Sequence, residues 1–165
     1  MDLSVGGYGD QLVAVLSAAA ELLAELPAGV SRLTGSDLGV VLPVVDRLAA
    51  VAGAGRYTIT ADAVQRGEVA AAQAGTTAQW VADRCPALDA RDAGLIAKAV
   101  RDLATPALAD AAAAVAEGRL SVPAGCVLAA EWRQLAPLIE DSATDAVVAG
   151  LVTMGVVDGP VGVRR

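Results

Sequence analysis

The chain has no histidine, no phenylalanine and no asparagine, a single lysine (Lys98), two cysteines and 2% aromatic residues. Each scarcity removes a class of chemistry. Without an imidazole there is no Ser-His or Cys-His couple, no base that titrates near neutrality and none of the commonest transition-metal ligand. Cys85 and Cys126 stand about 40 residues apart, which is neither a zinc nor a redox spacing. Both are expected as free thiols packed among apolar neighbours. With so few large side chains, Tyr8, Tyr57, Trp80 and Trp132 become the landmarks of packing.

Long uncharged runs are missing as well. The longest stretch free of Asp, Glu, Lys and Arg is Val69 to Ala82, about 14 residues against the roughly 20 that cross a bilayer. It also contains Gln73, Thr76, Thr77 and Gln79. Met1 and Asp2 begin no basic, then apolar, secretory leader. A cytoplasmic chain without membrane contact is therefore expected, despite a mean hydropathy of +0.54. The net charge of -7 opposes binding of nucleic acid by phosphate neutralisation alone and leaves only a local basic face as a route.

Alanine is abundant instead, with 38 of the 165 residues, as in the products of GC-rich genomes. A chain of this length removes roughly 70% of its unfolded surface from water, so it needs neither disulfide nor structural metal to fold. Leu12, Val15, Leu16, Ala19, Leu22, Leu23 and Leu26 recur at steps of three and four, which predicts an amphipathic helix from about Asp10 to Leu26 that ends at Pro27 and Gly29. A second helix is expected from Ser36 or Asp37 through Leu48 and Ala52, with Pro43 as a kink or true start. Gly53, Gly55 and the β-branched Thr58, Ile59 and Thr60 weaken helix formation beyond Ala52, so an imperfect helix should resume over Ala61 to Ala74.

Local punctuation is clearer beyond Gly75. Thr76 or Thr77 caps a short helix that ends near Arg84, Cys85 and Pro86; Asp89 caps the next, to about Ala104. Thr105 and Pro106 open another that Gly118 ends, Ser121 caps a further one, and the last spans Ala143 to Met154. The expected fold is all-α: a multi-helix bundle of about seven helices with long N-terminal helices and a helix-turn-helix-like segment over Thr77 to Leu103. Residues 1–74 form an N-terminal pair or one long kinked helix, 75–157 a compact bundle, and 158–165 the truncated start of a further helix. Such an ending would suit the front of a longer protein or a truncated gene product, its Val147, Val148, Leu151 and Val156 left to be covered from downstream.

Three runs carry a family resemblance: Ala74-Gly-Thr-Thr-Ala-Gln-Trp-Val-Ala-Asp-Arg84, Asp89-Ala-Arg-Asp-Ala-Gly-Leu-Ile-Ala-Lys-Ala-Val-Arg-Asp-Leu103, and Glu117-Gly-Arg-Leu-Ser-Val-Pro-Ala-Gly125. In combination and order they resemble domain of unknown function 222, an alanine-rich actinobacterial helical domain that usually precedes an HNH endonuclease domain. The resemblance covers about Ala61 to Arg165. It implies a DNA-associated accessory role beside an HNH nuclease module, in recognition, positioning or assembly. The chain departs from that pattern where cleavage is concerned. An HNH nuclease activates water and holds a metal with histidines, and this sequence has none. No catalytic activity and no cofactor are expected.

Arg91, Lys98 and Arg101 fall within about 80° of one another at 100° per residue, opposite the apolar arc of their helix. Arg84 lies in the preceding turn. These four are the candidate nucleic-acid contacts, weighed against a solvated face with local ion pairs; Asp92 and Asp102 dilute their field. Trp80, Trp132, Leu95, Val100 and Leu103 are the expected core anchors, with Trp80 on the Leu95, Val100 and Leu103 face. Glu131 falls among apolar positions, so a pair with Arg133, Arg119 or Arg101 is expected. Glu140, Asp141 and Asp145 read as a solvated acidic cluster rather than a magnesium site, and Gly53-Ala-Gly55 lacks the third glycine of a dinucleotide loop. The competing function is a protein-interaction module in which the N-terminal helices mediate homo-oligomerisation and no nucleic acid is touched.

Overall fold

A computed structural model describes residues 7–164. It is all-α, with eight α-helices among the described residues: α1 (Tyr8–Gly29), α2 (Gly35–Gln65), α3 (Glu68–Ala71), α4 (Thr77–Arg84), α5 (Ala90–Asp102), α6 (Ala109–Ala116), α7 (Val122–Leu135) and α8 (Thr144–Gly162). The chain divides into two compact units, Met1–Val45 and Asp46–Arg165. The boundary between these units falls inside α2; the local helix signals draw one after Ala74.

Several helix starts follow from the sequence alone. Thr76, Asp89 and Ser121 each accept, through a side-chain oxygen, the N–H three residues on, satisfying a donor that the first helical turn leaves unpaired. Neither Ser36 nor Asp37 caps α2. Thr34 does so, donating its own N–H to the Asp37 carboxylate at 2.8 Å and accepting the Asp37 N–H at 3.3 Å. Gly118 ends α6 at φ +71°, where the N–H groups of Arg119 and Leu120 return to the Ala114 carbonyl.

In the first unit the chain forms α1, a short 3₁₀ turn at Val30–Arg32 and the start of α2. None of its described residues is buried.

The second unit has the core. Its largest cluster joins Leu103, Leu108, Val115, Leu120, Leu128, Trp132 and Val148 with Ala99, Ala111, Ala114, Ala124 and Ala129. The alanines bring helix backbones close, and Gly125 goes further. A Cβ there would meet Val115 Cγ2 at 2.8 Å and Leu103 Cδ1 at 3.3 Å. The C-terminal half of α2 belongs to this unit through buried Ala54, Tyr57, Thr60 and Ala63 at steps of three. Buried Thr60 satisfies its hydroxyl on the Arg56 carbonyl at 2.7 Å. That seam explains why the helix runs unbroken through Gly53 and Gly55, since tertiary burial outweighs poor local propensity.

Four expectations change. Trp80 is buried, but its cluster is Ala63, Val69, Val81, Ala93 and Ile96, separate from Val100 and Leu103. Leu95 is only half-buried. The last helix continues past Met154 to Gly162, with a break at Gly159 (φ +63°) that leaves Val163 buried. Val148 and Leu151 are covered by the bundle itself.

Candidate functional site

Helix α5 buries Ala93, Ile96, Ala99 and Val100, which turns Lys98 and Arg101 to the flank and rim. Beside them Asp102 has a side chain only 8% exposed. Three cations converge on it. Lys98 Nζ lies 2.5 Å from Oδ2, Arg133 Nη2 2.9 Å from the same oxygen, and Arg101 Nε 3.0 Å from Oδ1. Arg133 comes from α7, directly after buried Trp132, so it emerges at the edge of the α5–α7 packing. Burial alone would push the Asp102 carboxyl up; hydrogen bonds from Lys98 and Arg101, with their charges, outweigh it and hold the group below its ordinary value.

Around one carboxylate the cluster has two net positive charges. Each guanidinium has five donors and uses one here, so both arginines, largely exposed, keep N–H groups for an outside acceptor. A cleft of about 700 Å³ adjoins the cluster, lined by Lys98, Arg101, Thr76, Thr77, Gly94 and Ala97 among others. It offers cations and hydroxyls, groups that can hold an anion.

Arg84 and Arg91 do not join this group. Arg84 stacks on the Trp80 ring, 4.3 Å from its centroid, donates to the Trp80 carbonyl at 3.4 Å and lines a different cleft with Asp62, Arg66 and Glu68. Arg91 is exposed and forms no ion pair among the described residues. The sequence offered Arg133 as a partner of Glu131 and Asp102 as a dilution of the basic face, whereas Asp102 is the group that gathers Arg133 and the basic face together.

Glu131, half-buried, pairs with none of its expected partners: Arg101 and Arg133 are held by Asp102, and Arg119 by Glu117. Among the described residues no three Cys, Asp or Glu side chains come together as a metal site. Both cysteines are free thiols; Cys126 is buried and donates to the Leu95 carbonyl at 3.4 Å, its pKa raised by burial.

The second candidate is the surface of the first unit. Leu12, Leu16, Leu22 and Leu23 of α1, with Leu38, Val40, Leu42 and Val44 of α2, are exposed; Leu22 and Leu42 each show 71% of their area to solvent. Three helical stretches are long and apolar enough to cross a membrane by length and composition: Tyr8–Arg32, Gly35–Gln65 and Asp141–Gly162. Around α1, however, the leucines at 12, 16, 22, 23 and 26 fall within about 120° at 100° per residue, while Asp10, Glu21 and Glu25 occupy the opposite side. The helix is amphipathic rather than apolar all round.

No protein-family model, no curated protein and no solved structure matches the chain.

Proposed function

We propose that the chain is a non-catalytic helical accessory module: a bundle that presents the first unit as a docking surface for another protein. One observation carries the reading. A segment rich in Leu and Val has no buried residue of its own, and an apolar surface of that extent marks an interaction site. The lack of histidine and of any clustered metal ligands among the described residues supports a role without chemistry.

A cytoplasmic setting fits this reading better than a bilayer. Asp46 and Arg47 in α2 would each cost about 2.5–3.5 kcal/mol near the middle of a span, and Glu21 and Glu25 add two further charges within α1.

A second reading follows from the cations on Asp102. Two net positive charges beside an open cleft support contact with a phosphate backbone, in keeping with the resemblance to domains that precede HNH nucleases. Of the two, protein docking rests on the larger feature.

One experiment on the full chain tests the non-catalytic part of the first reading and the DNA contact of the second. A labelled DNA duplex, incubated with the protein and magnesium at several salt concentrations, should stay uncleaved. Under the DNA-contact reading its anisotropy rises at low salt and the rise is lost in Lys98→Ala/Arg101→Ala/Arg133→Ala. Cleavage by nuclease-free material overturns the accessory reading; absence of binding at low salt removes the DNA reading and leaves protein docking.

A further inference from the structure

The apolar face of α1 has a definite shape. Leu12, Val15, Leu16, Ala19, Leu22, Leu23 and Leu26 make one stripe at steps of three and four, and the first part of α2 adds Leu38, Val41, Leu42, Val44 and Val45. Ala19, Leu26, Val41 and Val45 are half-buried, and nothing in the unit is buried further. Two helices with uncovered apolar faces, joined by a short turn and packed only sparsely on each other, supply two of the four helices of a bundle.

We propose that the occupant of this surface is a second copy of the chain, whose own Tyr8–Val45 helices complete an isologous bundle. The proposal rests on the docking-surface reading and names its partner.

Area supports a stable pair. From their exposed fractions, the Leu and Val side chains of the two apolar faces offer about 800 Å² per copy, on the order of the roughly 800 Å² per partner of a standard-size interface. Self-complementarity comes with the two-fold arrangement, in which the same patch meets itself. Charge agrees. Asp10, Glu21 and Glu25 sit opposite the leucine stripe of α1, so stripe-to-stripe packing leaves the carboxylates of both copies in water. The same carboxylates count against a lipid surface. Helices that lie in a membrane interface are typically rich in Lys and Arg on their polar face, whereas the polar face of α1 is acidic and would be repelled by anionic headgroups.

The test is sedimentation equilibrium of the full chain over about a hundredfold range of concentration, where mass action separates dimer from monomer. Wild type is compared with Leu16→Glu/Leu23→Glu, which puts two charges into the stripe, and with Glu21→Gln on the opposite side. Far-ultraviolet circular dichroism reports whether each variant keeps its helices. Flotation with vesicles of neutral and of anionic phospholipid runs alongside.

Wild type and Glu21→Gln should be dimers. The double variant should be a folded monomer, weakened in association by at least about a hundredfold, as two buried charges require. A wild-type monomer that stays off vesicles overturns the second copy but leaves docking to a different protein. A wild-type monomer that floats with vesicles overturns both the second copy and the protein-docking reading. A dimer indifferent to Leu16→Glu/Leu23→Glu overturns the proposal too, because its interface then lies elsewhere.

Discussion

Leu128→Ala should lower stability by about 3 kcal/mol, the usual cost of removing a fully enclosed leucine side chain and leaving its cavity. Leu128 has no exposed area and sits in the main core with Leu103, Val115 and Trp132. For a domain of this size the loss corresponds to a melting temperature lower by about 6–12 °C. Leu22→Ala makes the same chemical change in α1, where the side chain is 71% exposed. Measured at dilutions where the chain is monomeric, it should change unfolding by less than about 0.5 kcal/mol. Denaturant unfolding of the two variants separates leucines that hold the fold from leucines that serve contact with something else. Equal losses would mean that Tyr8–Val45 is part of the folding unit.

Asp102→Asn should cost about 1–2 kcal/mol near neutral pH. The enclosed carboxylate would be gone, leaving Lys98, Arg101 and Arg133 facing one another without a counter-charge. The figure is kept low because Arg101 and Arg133 are well exposed to solvent and its screening. The pH dependence has a definite sign. Asp102 titrates below its ordinary value in the folded chain, so the contribution is fully present above the unfolded carboxyl pKa of about 3.9. It is lost as the pH falls from there through the lower folded value. The stability difference between wild type and Asp102→Asn should therefore be flat from about pH 5 to 7 and shrink below about pH 4. A difference that grows on acidification would contradict the hub at Asp102.

Signals confined to one helical turn were legible in the sequence. The caps at Thr76, Asp89 and Ser121 and the stop at Gly118 depend on neighbours three or four residues away. So did the all-α class, which rests on apolar spacing repeated in every segment. The features that escaped depend on distant partners. The continuity of α2 through two glycines is set by burial of Ala54, Tyr57, Thr60 and Ala63. Trp80 finds Ala63 and Val69 from other helices instead of the Val100 and Leu103 face. Arg133 reaches Asp102 across 31 residues.

Of the four cations picked from the sequence, two belong together. Lys98 and Arg101 share the flank of α5 because one helical turn puts them there. Arg84 is drawn away by the Trp80 ring, a preference that helical angle does not contain. The leucine stripe of α1 was readable as an amphipathic face. How little covers it within the unit was not, because periodicity tells which side is apolar and not how much is packed on it.

Hydrogen exchange of the backbone amides in the full chain, recorded at high and at low protein concentration, tests the central claim most directly. Slow exchange over Tyr8–Val45 is predicted only at high concentration, with fast exchange on dilution and unchanged protection in α5, α6 and α7. Protection of Tyr8–Val45 that is the same at every concentration would contradict it.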